Sequence, residues 1–261
     1  MSSSTRLTVN GLRHYRCEGV NVPLPSVTSI LSATQSAETQ RKLAHWNALN
    51  PGVADAAAAR GSWIHEAVEN HIRGIKVNPR EDLKPYWVDV PEKVDELIGS
   101  GRVLWSEKPF NQPSWSRYVG DDGVGRIHYY DTPTGHGWAG CCDIIYEDSN
   151  GEIILGDFKT SVGPYSAKFP SSKADIPENL KKALISGVFK FKKTKLQLAA
   201  YTIAAEKCLG IKISKTQIIV STPVPDYSVQ VFSFGEKDIE KDKENWWQIV
   251  RKYYDTHDVT G

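Results

Sequence analysis

Short runs in which apolar and polar residues alternate, each closed by Gly, Asn, Asp or Pro, are interleaved along this chain with longer stretches of helical period. Alternation marks half-buried strands, and a period near 3.6 marks amphipathic helices. Residues 6–17 predict a hairpin with Asn10-Gly11 as its turn. A helical region opens over Thr28–Ala33 and resumes over 38–49. Pro51 opens helix that runs to about Ile72, through the alanines at 56–59, the best helix former. Residues 79–91 are framed by prolines and read as irregular, and 92–100 as a short helix. Strands are predicted near 102–109, 125–130, 138–147 and 152–159, the last two joined by a hairpin turn at Asn150-Gly151. A helix over 193–208, strands at 215–221 and 228–234, and an amphipathic helix from 236 to about 255 complete the chain. This succession predicts an α/β fold, a mixed central β-sheet flanked by helices with helical additions at the N-terminus. A single domain over 1–261 is expected: 1–60 the N-terminal hairpin and helical addition, 61–234 the core with a basic insertion at 162–194, and 235–261 the C-terminal helix.

Chemistry concentrates at a few positions in that pattern. Asp157 and Lys159 leave the apolar run Ile153-Ile154-Leu155 on one face of its strand. A carboxylate there can hold a hard cation, and an ammonium beside it a phosphate or a water; a surface ion pair would give the same spacing. Asp143 lies in Trp138–Tyr146, where alternation in a continuous strand puts Ala139, Cys141, Asp143 and Ile145 on one face. A carboxylate in such company is costly to bury unless it is paired or binds a metal. The Asn150-Gly151 turn should set Asp143 beside Asp157. His65 and Glu69 share a helix face, as do Gln197 and Tyr201, whose amide and phenol suit contacts to phosphate or base. Ordinary helix contacts would account equally well for either pair taken alone.

Taken in order, Gly61 to His65, Gly140 to Asp143, Asp157 to Lys159 and Gln197 to Tyr201 resemble the motifs of the PD-(D/E)XK nucleases, in the branch that includes the RecB nuclease domain. The segment Pro25-Ser26-Val27-Thr28-Ser29-Ile30-Leu31 is similar to the start of the mitochondrial genome maintenance exonucleases and their phage and bacterial relatives. The resemblance covers roughly 22–208 and is confined to the motifs. It implies a restriction-endonuclease-like core. It implies Asp143, Asp157, the main-chain carbonyl of Phe158 and His65 as ligands of Mg²⁺ or Mn²⁺, with Glu107 in the place where many members carry a further acid. It implies Lys159 acting on the attacking water and the phosphate, and Gln197 and Tyr201 holding the strand near the scissile phosphate. The implied activity is a DNA exonuclease, cutting single strands or DNA ends through a metal-activated water. Alternatives within the fold are a structure-specific endonuclease and a non-catalytic DNA-binding module, although the latter would not need Asp157 and Lys159.

Composition narrows this picture. The formal net charge is +1, so attraction to nucleic acid must be local. Lys181, Lys182, Lys190, Lys192, Lys193 and Lys195 lie in a stretch free of acids from 181 to 195, interleaved with Phe189 and Phe191. We read this stretch as a DNA-facing arch or flap, with Lys190, Lys192 and Lys193 on phosphates; a solvated basic loop beside a core Phe pair is the alternative. Trp246-Trp247 and Tyr253-Tyr254 read as core. Residues 120–125 lack the Gly-Lys-Ser/Thr ending of a phosphate loop. No apolar run reaches membrane-spanning length and the N-terminus lacks a signal-peptide core, so no membrane partner and an intracellular, cytoplasmic location are expected. Of the four cysteines, Cys141 and Cys142 are adjacent in a presumed strand and would point to opposite faces; we expect no iron–sulfur cluster, and free thiols instead.

Overall fold

The computed structural model describes residues 6–109, 113–171 and 176–257. Its centre is a five-stranded mixed sheet made by β4 (Arg102–Ser106), β7 (Ile144–Glu147), β8 (Ile153–Thr160), β9 (Lys215–Ser221) and β10 (Val229–Phe234). Their order is β10-β9-β8-β7-β4, with β8 and β9 parallel and the other neighbours antiparallel. The parallel step needs a long crossover, and α6 (Glu178–Leu209) supplies it.

The sheet is buried on both faces. Leu155, Ile145, Ile218 and Val220 pack under α6, α7 (Glu236–Thr256) and α1 (Val27–Ala33). Ile154, Phe158, Ile144, Tyr146 and Ile219 face α3 (Val53–Ile72), α4 (Lys84–Trp87) and α5 (Val90–Ile98). Alternation along β8 therefore puts Asp157 and Lys159 on the α6 side with Leu155, and Phe158 on the α3 side. Trp138, Trp105 and Trp246 are fully buried in the α6-side core. Trp246 and Tyr253 are core residues of α7, as expected.

At the N-terminal end, β1 (Arg6–Val9), β2 (Leu12–Tyr15) and β3 (Leu24–Pro25) form a small antiparallel sheet, followed by α1 and then α2 (Ala37–Leu49). The Pro-Ser-Val-Thr-Ser stretch has a structural reason. Ser26 caps α1 by accepting from the Ser29 amide at 3.0 Å. Its hydroxyl donates to Ser29 Oγ at 2.8 Å, and Ser29 exchanges hydrogen bonds with both backbone groups of Arg13. The segment thus fastens β2 to α1, and Ser26 also bridges to Ala139.

Three expectations are corrected. Residues 138–147 are not one strand. The chain leaves β6 (His136–Gly140), which pairs with β5 (Ile127–Asp131) in a separate two-stranded sheet, and enters the central sheet only at β7. Cys141, Cys142 and Asp143 occupy the break, so the strand geometry assumed for the adjacent cysteines does not hold. All four cysteines are free thiols; the Cys142 thiol is buried in the core and that of Cys141 points toward the Glu107 carbonyl at 3.9 Å.

The second correction concerns the basic stretch, which is neither arch nor loop. Residues 178–209 form one 32-residue helix, about 48 Å long at about 1.5 Å per residue. Gly187, which in sequence looks like a break, lies where the helix crosses the chain at Pro164-Tyr165. A Cβ there would sit 2.2 Å from the Pro164 carbonyl oxygen. In the third, residues 79–91 are not irregular throughout: α4 and α5 make 84–87 and 90–98 helical, with Pro91 in the first turn of α5, where a missing N–H costs nothing.

Candidate metal centre

His65, on α3, reaches across the end of β8. Its Nε2 lies 3.0 Å from the Phe158 carbonyl oxygen. A carbonyl only accepts, so Nε2 carries the proton and, in the neutral ring, Nδ1 carries a lone pair. That lone pair faces two carboxylates, Asp143 Oδ1 at 3.4 Å and Glu107 Oε2 at 3.5 Å. Three electron-rich atoms directed at one point repel each other unless a cation lies between them. Among the described residues this is the one group of three or more His, Cys, Asp or Glu donors close enough to share a metal, its donor atoms all within 4.8 Å. Two carboxylates and an imidazole are a donor set that fits Mg²⁺ or Mn²⁺.

Each donor is placed by main-chain structure. Glu107 directly follows β4 and its amide donates to the Asp143 carbonyl at 3.1 Å. Asp143 immediately precedes β7, whose Ile144 pairs with Gly156. Its Oδ2 accepts from the Phe158 amide at 2.6 Å, leaving Oδ1 for the cluster. The expected proximity of Asp143 to Asp157 thus arises, but from the β7–β8 register and not from one continuous strand.

In the cation-free protein a proton takes the central position. Burial opposes charge on His65, but the Asp143 charge and a hydrogen bond with Glu107 outweigh it and raise its pKa to about 9. The same hydrogen bond holds Glu107 below the usual carboxylate range. Protonated His65 therefore stabilises the cation-free fold fully below pH 6.5, and that contribution fades as pH rises toward 9. A cation requires the neutral ring, so its binding must expel this proton. Mn²⁺ affinity is expected to rise about tenfold per pH unit up to pH 8.5. Calorimetry at pH 7.5 in two buffers of different ionisation enthalpy should show about one proton released. A pH-independent affinity would mean that His65 is not a ligand.

Asp157 stands apart from the three-donor group. Its side chain is fully buried and neither oxygen has a well-formed hydrogen bond; the Lys159 ammonium lies against Oδ2. Burial raises the Asp157 carboxyl to about 6 despite Lys159. Burial also acts against charge on Lys159, but Asp157 and Asp143 overcome it and its pKa is raised, so the ammonium stays charged. The Phe158 carbonyl, expected to face the ion, is the acceptor for His65 Nε2 and for Lys159 Nζ at 3.3 Å.

A cavity of about 230 Å³ collects Asp143, Lys159, His65 and Glu107 with Gln197 and Tyr201. Gln197 donates to the Tyr201 hydroxyl at 3.1 Å. Burial pushes the Tyr201 phenol well above its ordinary pKa, so it stays a neutral hydrogen-bonding group. Arg13, Tyr15 and Thr28 line the cavity as well; sequence reasoning assigned them no role, although Thr28 lies in the stretch that drew attention. A second opening, of about 420 Å³, is lined by Gly61, Ser62, Glu66, Glu69 and Lys108 and shares His65 and Glu107.

Gly140 explains its own identity. A Cβ there would lie 2.6 Å from Tyr201 Cε1, and the Tyr201 ring is too buried to move aside. Gly140→Ala should cost about 1–3 kcal/mol by overpacking and lower the melting midpoint by several degrees. An unchanged midpoint would show that the ring yields freely.

Of the basic residues, Lys190 donates to Ser161 Oγ at 2.9 Å, and Lys193 is close enough to feel the Lys159 charge. Lys195 is bound to Asp242 at 3.0 Å and turned to α7, while Lys192 lies over the Phe169 ring. Lys190, Lys193, Gln197 and Tyr201 follow one another at helical spacing, so one stripe of α6 leads into the cavity.

No protein-family model and no curated protein matches the chain. Among solved structures it is similar, at 12% identity and a TM-score of 0.37, to a candidate exonuclease from Eubacterium rectale, over 77% of this chain and 69% of that one. It is similar at 14% identity and a TM-score of 0.33 to the protein SSO0001, over 86% of this chain and 75% of that one. Likenesses this remote carry no weight for the chemistry, which rests on the geometry of His65, Glu107, Asp143, Asp157 and Lys159.

Proposed function

We propose that the chain is a divalent-cation-dependent deoxyribonuclease, an exonuclease that hydrolyses phosphodiester bonds of single-stranded DNA or of DNA ends with Mg²⁺ or Mn²⁺. One observation carries this reading. The lone pair of His65 and the carboxylates of Asp143 and Glu107 converge on one point in a polar cavity that Lys159 also lines, its ammonium lying against the buried Asp157. When bound, the cation supplies Lewis acidity to the phosphoryl group and lowers the pKa of water.

The chain's own residues do the rest. His65, Asp143 and Glu107 hold the cation. Lys159, kept charged by its carboxylate neighbours, offsets the negative charge that grows on the phosphate oxygens, and Asp157 fixes where that ammonium sits. The Gln197 amide and Tyr201 hydroxyl orient the phosphate by hydrogen bonds. A cavity of about 230 Å³ walled by Arg13, Tyr15 and Thr28 is smaller than the roughly 300–1,000 Å³ of pockets that bury drug-sized ligands. It suits the end of one strand rather than an intact duplex. Lys190 and Lys193, two turns and one turn before Gln197 on α6, then meet the next phosphates. Each such contact to a single strand contributes a slope of about −0.7 to the plot of log affinity against log salt. Lys190→Ala/Lys193→Ala should flatten that plot by about 1.4 units, and an unchanged slope would take the strand off this helix face.

The activity is tested by digesting end-labelled linear and circular single strands with Mg²⁺, with Mn²⁺ and with EDTA. The reading requires linear DNA to be degraded from an end, circular DNA to survive and EDTA to stop the reaction. Cleavage of the circle would make the enzyme an endonuclease. No cleavage of any DNA would remove the nuclease reading.

A further inference from the structure

Phe189 and Phe191 are neighbours in sequence with opposite fates. Two residues apart on a helix means about 200° of rotation, so one goes in and the other out. Phe191 is buried against Phe232 and Phe234, with ring centroids 5.1 and 5.7 Å away. Phe189 is 62% exposed, and its ring meets Phe169, itself 51% exposed, edge to face at 5.6 Å. Lys192 Nζ lies 5.3 Å from the centre of the Phe169 ring. Two large aromatic side chains, Phe189 on α6 and Phe169 on the segment after β8, are thus held in water by each other and by a cation, beside a helix stretch with no acid between 181 and 195. Neither ring helps to close the core.

We propose that Phe169 and Phe189 form a stacking platform for a base of a single-stranded nucleic acid whose reacting phosphate lies at Asp143 and Lys159. This rests on the nuclease reading above and extends it to a subsite away from the cleft. Exposed aromatic faces flanked by lysines suit a strand that offers both unpaired bases and phosphates. They do not suit a duplex, whose bases are already stacked.

A path joins the platform to the cavity. Lys190 sits at Ser161, and Arg60 from α3, stacked over Tyr86 at 4.8 Å, brings a second cation toward it. Burial and the Arg60 charge hold the Lys190 ammonium below its ordinary pKa. A bridging phosphate would relieve that repulsion. From Tyr201 to Phe189 is twelve helical residues, roughly 18 Å at 1.5 Å per residue. At about 3.4 Å per stacked nucleotide the platform meets a base about five nucleotides from the reacting phosphate, or fewer in an extended strand.

The test is binding of a 12-mer of thymidine in Ca²⁺, together with 12-mers carrying one abasic site at each position from two to seven. We expect wild-type affinity to fall about tenfold or more at one or two adjacent abasic positions and little elsewhere. Phe189→Ala should bind the intact strand about tenfold or more weakly and lose the position-dependent penalty. Phe189→Trp should keep both. Both rings are exposed, so the melting midpoints should match wild type. An intact-strand affinity unchanged in Phe189→Ala, or an equal loss on duplex DNA, would overturn the platform while leaving the nuclease reading standing. A wild-type protein that binds no 12-mer and cuts no DNA would overturn both.

Discussion

Asp143→Asn should leave a folded protein that has lost cleavage at least about 100-fold, the upper end of the cost seen for residues that only support a metal ligand. The fold survives because the amide can take over the structural half of the carboxylate's work. Its oxygen still accepts from the Phe158 amide, a bond of 2.6 Å in the native protein. What disappears is the negative Oδ1 that faces His65 Nδ1 at 3.4 Å. In EDTA near pH 9 and above, where His65 is neutral, the like-charge repulsion with Glu107 falls as well, so the melting midpoint should stay within about 2–4 °C of wild type, the equivalent of about 1 kcal/mol; at pH 7 it should fall further, because protonated His65 loses the Asp143 charge. The Mn²⁺-induced rise in that midpoint should vanish together with activity. A variant that cuts at near wild-type rate, or still gains stability from Mn²⁺, would remove Asp143 from the cation site.

Lys159→Ala should fail in two separable ways. Cleavage should drop about 10²–10³-fold, the usual consequence of removing one donor aimed at developing charge, while DNA affinity in Ca²⁺ persists through Lys190 and Lys193. Stability should fall as well, because Asp157 loses the cation lying against it in a fully buried position. Stranding one partner of a buried pair costs about 3–5 kcal/mol when the remaining charge cannot neutralise. The carboxyl can neutralise by taking a proton, which gives the loss a definite pH dependence. Asp157 already titrates at about 6, above its ordinary 3.8. The folded protein thus holds a proton there that the unfolded chain releases, and stability falls as pH rises through that interval. Without Lys159 the folded value moves higher still. The deficit relative to wild type should therefore be small at pH 5 and grow toward pH 8 in melts run with EDTA. Adding Asp157→Asn should restore stability at pH 8 but not cleavage. Equal stability of Lys159→Ala and wild type at pH 8 would mean that Asp157 is not held by this lysine.

The sheet and its carboxylates were largely legible because period-two alternation and turn residues leave clear marks. Asn150-Gly151 does close the β7–β8 hairpin, and Asp157 and Lys159 do leave β8 on one face. Asp143 was located through a continuous strand that does not exist; it reaches its place because β7 starts at the next residue and pairs with β8. The start of α6 was hidden by a run of lysines that resembles a solvated loop. Gly187 is where α6 packs closely against Pro164-Tyr165, a tertiary contact that local propensity cannot report. The opposite fates of Phe189 and Phe191 follow from the same error, since adjacent alternation in a loop says nothing of faces, whereas a helix separates them. Phe169 and Arg60 had no signal at all: each acquires its partner across loops whose course no local pattern fixes. Glu107 was placed only by analogy, and it is the backbone bond from its amide to the Asp143 carbonyl that brings it to His65.

The proposed function requires a divalent cation among His65, Asp143 and Glu107. Crystals soaked in Mn²⁺ and measured at a wavelength where manganese scatters anomalously would test it most directly. A peak is expected within coordination distance of His65 Nδ1, Asp143 Oδ1 and a Glu107 oxygen, absent from Asp143→Asn crystals treated in the same way. A peak remote from His65 Nδ1, or none at saturating Mn²⁺ above pH 9, where the imidazole is neutral, would contradict it.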